Sequence, residues 1–233
     1  MSTTATAPRQ RRIFSHELYE LLFGTVYVGL MTNLLLVIAV LPAVALLLFS
    51  DIAGTWPLLV LASPLLAPAL TATFAVFADF SDHGSTTAVR TFARAWWRDL
   101  RRSLTLGAAV AAVVSIAAVN IRFLMSTSGG AGAMLIPIQA MLALIALATG
   151  LMALVGVPEL RDLRLRDLLR AALYLAMRRW YLTVGAFVVL GLLGSLVIAR
   201  PAIALGVAAA PLLFVVWGTL RFALRPLLPD QTS

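Results

Sequence analysis

The sequence predicts an all-α membrane protein: a polytopic bundle of six transmembrane helices, with amphipathic interfacial helices in the inner loops and both termini cytoplasmic. Three observations carry this reading. Six long uncharged apolar stretches run through the chain. Hydrophobic residues reach 61% and charged residues only 12%, against roughly 45–50% and about 25% in a soluble domain. All 18 basic side chains are arginines, and they alternate between rich and poor loops. With a mean hydropathy of +0.98, the solvent for this chain is the bilayer.

The uncharged runs cover residues 21–50, 52–78, 103–121, 123–158, 180–199 and 201–220. Each meets the roughly 17–25 residues that a spanning helix needs. They are continuous rather than alternating, and lipid offers no partner to an open backbone, so helices are expected and a barrel is not. The spans are placed at 22–49, 56–77, 103–121, 134–155, 180–199 and 202–220. They lie in one membrane domain, 14–225, between a basic cytoplasmic tail, 1–13, and a second tail, 226–233. The fourth span starts near Met134 because Ser126-Thr127-Ser128-Gly129-Gly130 has loop composition. The first run is far longer than the hydrophobic region of a signal peptide, so it is expected to be retained. Cysteine is absent, which excludes disulfides, thiolate metal sites and a cysteine nucleophile.

Orientation follows from arginine. An inside N-terminus places Arg9, Arg11 and Arg12, the five arginines from Arg90 to Arg102, the six from Arg161 to Arg179, and Arg221 with Arg225 in the cytoplasm. Only Arg122 and Arg200 fall outside, a bias of sixteen to two that sets both termini inside. A net charge of +8 and a pI near 11.3 would suggest nucleic acid in a soluble protein. Here the charge lies where topology puts it, so no nucleic-acid partner is expected and attraction to anionic lipid headgroups is the simpler consequence.

The two large inner loops carry helical periodicity. Val89, Phe92, Ala93, Trp96 and Leu100 share a face, with Arg90, Arg94 and Arg98 opposite, predicting an interfacial helix over 86–101 capped by Ser85 or Thr86. Trp96-Trp97 beside Arg98 suits the headgroup level. A second interfacial helix is expected over 159–178, started by Pro158-Glu159, with the stripe Leu165, Leu168, Leu169, Ala172 and Ala176 and an Asp162–Arg166 pair. Phe14, Leu18, Leu21 and Leu22 give a shorter version before span 1. Arg101-Arg102-Ser103-Leu104-Thr105 and Arg178-Arg179-Trp180-Tyr181-Leu182-Thr183 are alike, with a fainter Gly24-Thr25-Val26, which reads as a threefold pseudo-repeat of interfacial helix plus hairpin. Small residues predict close helix contacts along Gly107, Ala111 and Ser115 and along Gly191, Ser195 and Ala199.

No span holds a charged side chain near its middle, whereas ion-coupled transporters usually bury one there. The mid-membrane polar groups are Asn33, Thr71, Thr73, Ser115, Gln139, Thr149 and Ser195, and hydrogen bonds to backbone or a neighbouring helix account for each. Pro64 and Pro68 in span 2 predict a bent or opened helix whose freed carbonyls either line a path or meet a neighbouring helix. Asp79, Asp82 and His83 resemble a fragment of a metal site, but a site needs three or four ligands, so turn and cap roles before Gly84 are expected and no metal is. No G-x-S-x-G or H-E-x-x-H motif is present, and Gly129-Gly130-Ala131-Gly132 lacks the strand of a dinucleotide site. Neither catalytic residues nor a cofactor are expected.

The stretches Thr32 to Leu36 with Leu41-Pro42, Ala62 to Ala72, and Phe92 through Arg102 leading into span 3 together resemble the YesL-like family of bacterial membrane proteins. The likeness covers residues 14–125 well and the remainder by layout. Where that family carries a Thr-Ile-Gly-Pro-like phrase, this chain has Ala62 to Pro68. The resemblance implies a non-enzymatic accessory role beside carbohydrate ABC importers, with importer subunits as partners, and supplies no catalytic residues. Arg94, Trp96, Trp97, Arg98, Arg166 and Arg170 are then the candidate contacts with a partner or with lipid. The chain does not read as the permease subunit, because Glu159 to Arg179 lacks the Glu-Ala-Ala and Gly pattern that docks the ATPase. The alternatives are a small uncoupled facilitator for a neutral solute, built around Asn33, Pro64, Pro68, Thr71 and Gln139, or a lipid-facing scaffold.

Overall fold

The computed structural model describes the backbone of residues 10–49, 62–127 and 134–227. The side chains of the Phe14, Leu18, Leu21 and Leu22 stripe, the first six residues of the expected span 56–77, the Ser128 to Gly130 part of the outer loop and the tail beyond residue 227 lie outside the described residues. All regular structure described is helical. Helix α1 (Gln10–Phe49) is followed by a 3-10 turn (Ser63–Leu65) that runs into α2 (Leu66–His83). Then come α3 (Ala88–Thr127), α4 (Ile136–Glu159), the short α5 (Leu165–Arg178) and α6 (Trp180–Ala199). A single turn (Pro201–Ile203) and a π-helical segment (Ala204–Ala208) lead into α7 (Ala209–Leu224), which closes in a 3-10 turn (Arg225–Leu227).

Six of these stretches are long and apolar enough to cross a bilayer: Phe23–Leu41, Ser63–His83, Ala88–Ser126, Ile136–Glu159, Trp180–Ala199 and Pro201–Leu227. The protein is a multi-pass membrane protein built as an all-helical bundle. Its outer surface agrees, with Leu30, Leu34 and Ile38 on α1, Ile116 and Phe123 on α3, and Val188 and Leu192 on α6 all exposed, as lipid-facing side chains must be. Helices α2 and α4 sit at the centre. Thr71 to Phe77 and Ala148 to Pro158 are buried without interruption, so these segments meet protein on every side. Helix α3 packs against both of them, α5 against α4, and α7 against α6 and α1.

Apolar burial gives little drive between helices already in lipid, so close packing decides these contacts. A Cβ on Gly107 of α3 would stand 2.7 Å from the Ala67 Cβ and 3.1 Å from the Pro64 carbonyl oxygen. Only glycine lets the start of α2 approach this closely. Gly150 of α4 meets Val110 of α3 in the same way. The second small-residue stripe has no such partner: nothing lies within 4 Å of a Cβ on Gly191, and Ser195 and Ala199 are exposed.

Two expected boundaries are corrected. The interfacial helix over 86–101 and the span 103–121 are one helix, because nothing between Ala88 and Thr127 breaks the backbone ladder. The change at Ser103 is one of side-chain composition alone. At 1.5 Å per residue, 40 residues reach about 60 Å, twice the roughly 30 Å of hydrocarbon that an upright crossing needs. Pro158 and Glu159 do not start the second interfacial helix but end α4; α5 begins at Leu165, and Asp162 lies in the preceding turn without an ion pair to Arg166 among the described residues. Of the three expected repeat units, only α5 is a helix separate from the span that follows it. The stripe on α5 is real, but its buried members Leu168, Ala172, Leu175 and Ala176 cover protein, while Leu173, Tyr174 and Met177 are exposed.

At its prolines the backbone of span 2 departs from a regular α-helix, with a 3-10 stretch between helical Ala62 and Leu66. Pro64 lies in the 3-10 turn, and Pro68 is the third residue of α2, where the missing N–H is one of the four that a helix start leaves unpaired in any case.

Candidate functional site

The helices bring most of the arginines to one end of the bundle. Gly84 closes α2 there with φ at +62°, a left-handed conformation that favours glycine, and its N–H donates to Phe80 O at 2.9 Å. Ser85 Oγ accepts the Thr87 N–H at 3.4 Å, and α3 starts at Ala88. Gly24 of α1 faces Thr86, and Arg102 donates to the carbonyls of Arg161 at 3.0 Å and Leu163 at 2.6 Å, tying α3 to the turn between α4 and α5. Trp97, Tyr174, Trp180 and Tyr181 are exposed at the same end, the aromatic belt of a membrane–water boundary.

Between the ends of α2, α3, α4 and α7 lies an open cleft of ≈1480 Å³. Its centre is Arg221 of α7. The guanidinium takes Asp82 of α2 in a two-pronged pair, Nη1–Oδ1 2.9 Å and Nη2–Oδ2 2.7 Å. Its Nε lies 3.0 and 3.1 Å from the two carboxylate oxygens of Glu159 on α4. One turn back on α7, the Trp217 ring lies under the same guanidinium, 5.0 Å from its centre. A single arginine of α7 therefore ties down the ends of α4 and α2, through partners 62 and 139 residues from it in sequence. On the α2 wall, Asp79 accepts from Thr91 Oγ1 at 2.9 Å and lies 3.4 Å from His83 Nδ1.

The α3 wall is basic. Arg90, Arg94 and Arg98 follow at four-residue spacing, which keeps them on one face. Arg98 folds back onto the buried Asp99, with Nη2–Oδ2 at 2.6 Å and Nε–Oδ1 at 3.1 Å. Arg90 and Arg94 have no ion pair among the described residues. Beyond the end of α4, Arg161 donates through Nε to Pro158 O at 2.8 Å. Burial, followed by repulsion from Arg98, pushes the Arg161 guanidinium below its ordinary pKa, partly offset by Asp99 and Asp162.

The six expected contact residues divide accordingly. Arg94 and Arg98 line the cleft. Trp96 is half buried, stacked on Phe92 with ring centres 6.0 Å apart, whereas Trp97 is exposed. Arg166 and Arg170 lie on the exposed face of α5 and outside the cleft. The polar-packing set does not converge. Pro64, Pro68, Thr71 and Gln139 line neither this cleft nor the small apolar one around Met141. Gln139 belongs to the first turn of α4, at the far end of the bundle.

Asn33 does something more specific. Its Nδ2 donates to Gly206 O at 3.0 Å, and its Oδ1 accepts the Ala210 N–H at 2.6 Å. In a regular α-helix those two backbone groups would bond each other. The amide of α1 is thus inserted into the ladder where the π-helical segment meets α7, and it satisfies both groups. Thr73, Ser115 and Ser195 bond the carbonyls four residues before them on their own helices, whereas the buried hydroxyls of Thr71 and Thr149, contrary to expectation, have no hydrogen-bond partner among the described residues.

Sequence reasoning counted Arg221 only as an inner-side charge, gave Glu159 a helix-start role, and expected of Asp82 no more than a turn role. The available signal was position: each sits within a turn of the end of an apolar run. Comparisons with known protein families, with curated proteins and with solved structures find no match to this chain.

Proposed function

We propose that this chain is a non-enzymatic component of the cytoplasmic membrane that docks another membrane or membrane-associated subunit through its arginine-rich end. The observation that carries the reading is the brace around Arg221. It fixes the ends of α2, α4 and α7 together, next to the arginine-bearing first half of α3. A braced, charged platform suits recognition of a partner better than it suits passage of a solute. Arg166 and Arg170, exposed on α5 without an ion pair among the described residues, with Trp97 exposed on α3, are the contacts offered. The arginine bias puts this end in the cytoplasm. The likeness to YesL-like proteins names the partner class: subunits of a carbohydrate ABC importer.

The test is co-purification of the tagged protein with permease and ATPase subunits. Recovery of both, lost in an Arg166→Gln/Arg170→Gln double variant, is the expected result. A protein that purifies alone, and whose deletion leaves sugar uptake unchanged, contradicts the reading.

A further inference from the structure

We propose that the cleft at the arginine-rich end binds a phosphate-bearing anion, held by Arg90 and Arg94 of α3 and by Arg161 beyond the end of α4. The inference is independent of any importer partner. It starts from how the charges in the cleft are already matched. Asp82 and Glu159 are taken up by Arg221, Asp99 by Arg98, and Asp79 by Thr91 and His83. Arg90 and Arg94 face the same space with no ion pair among the described residues, and Arg161 spends only its Nε, on a neutral carbonyl. Asp162 also lines the cleft without an ion pair among the described residues, so the unmatched charge there is net positive, carried by the α3 face and by Arg161 opposite a single carboxylate.

Like charges facing one another across the cleft repel. Arg161 is exposed, and the guanidinium of Arg98 is near enough to disfavour its charge. An anion between the α3 face and Arg161 removes that repulsion. Phosphate is the anion that guanidinium forks recognise best, through paired N–H···O bonds from more than one arginine at a time. A carboxylate offers fewer oxygens.

The surroundings point to the same chemistry. Trp217, Phe222, Ala75 and Ala78 give the cleft apolar walls beside its basic one. The exposed Trp97, Trp180 and Tyr181 mark the headgroup level close by. A phosphate at this depth has two sources, the headgroup of an anionic phospholipid or a soluble phosphate compound, and basic pockets between helices at the cytoplasmic side suit the former.

The full chain, purified in an uncharged maltoside detergent, is titrated by calorimetry with dihexanoyl phosphatidylglycerol, with dihexanoyl phosphatidylcholine and with inorganic phosphate. Saturable binding is expected for phosphatidylglycerol or for inorganic phosphate, at least about tenfold tighter than for phosphatidylcholine. It weakens by a similar factor in an Arg94→Gln/Arg161→Gln variant and is unchanged in Arg166→Gln/Arg170→Gln, which removes the same charge outside the cleft. Phosphatidylglycerol without inorganic phosphate identifies a lipid headgroup site; inorganic phosphate that binds and competes identifies a site for soluble phosphate compounds. Should the double variant elute as aggregate, Arg94→Gln alone, a change at an exposed side chain, gives the same reading. Binding that does not saturate, that does not discriminate against phosphatidylcholine, or that falls equally in both variants overturns the proposal.

Discussion

At the scale of single residues, Asn33 shows how a membrane helix departs from regularity without leaving backbone groups bare. Pro211 follows Ala210 and has no N–H to continue the ladder, and the π-helical turn before it shifts the pairing by one residue. The Asn33 amide fills the gap at Gly206 and Ala210. Asn33→Ala leaves a buried donor without its partner, at a cost of about 1–3 kcal/mol. Thermal unfolding in detergent is expected to show a lower midpoint for Asn33→Ala, while Ser195→Ala, whose hydroxyl bonds only its own exposed helix, leaves the midpoint where it was. The need for a partner was legible in the sequence, since an amide at mid-span must be satisfied. Its identity was not, because Gly206 lies 173 residues away and nothing in a linear pattern announces a π-helical turn. Arg221 was hidden for a similar reason: charge counting assigns a membrane side, not the carboxylates that a guanidinium will meet.

At the scale of helices, composition and continuity proved to be different properties. The six spans were readable because hydrocarbon thickness sets a length that the apolar runs display directly. The junction at Arg102-Ser103 looked like a boundary because side chains change character there, yet a helix ends only where its backbone bonds stop. No proline lies between Ala88 and Thr127, and the hydroxyls of Ser103 and Thr105 return to carbonyls of their own helix. Pro158 misled in the opposite direction: proline favours a helix start, but here the apolar run before it carries α4 through to Glu159. The small-residue stripes separate on the same principle, since spacing shows which face is smooth and only the fold shows what covers it. Gly107→Leu is therefore expected to force apart α2 and α3, with a loss of about 1–3 kcal/mol, whereas Gly191→Leu, with open space around it, is expected to change the unfolding midpoint little. Equal losses from the two substitutions would remove the packing argument.

At the scale of the molecule, two asymmetries act together. Hydrocarbon thickness fixes the number of crossings, and arginine fixes their direction. The helices then gather the arginine-rich segments into one braced end, where a cleft, an aromatic belt and the first half of α3 meet. The docking reading and the anion site both require that end to face the cytoplasm. The chain has no cysteine, so orientation can be measured cleanly with single-cysteine variants and a membrane-impermeant maleimide. Met134, exposed before α4, and Arg166, exposed on α5, report the two ends. Labelling of Met134→Cys but not Arg166→Cys in intact cells, with Arg166→Cys becoming reactive in inverted vesicles, is the predicted result. Labelling of Arg166→Cys in intact cells would contradict the account.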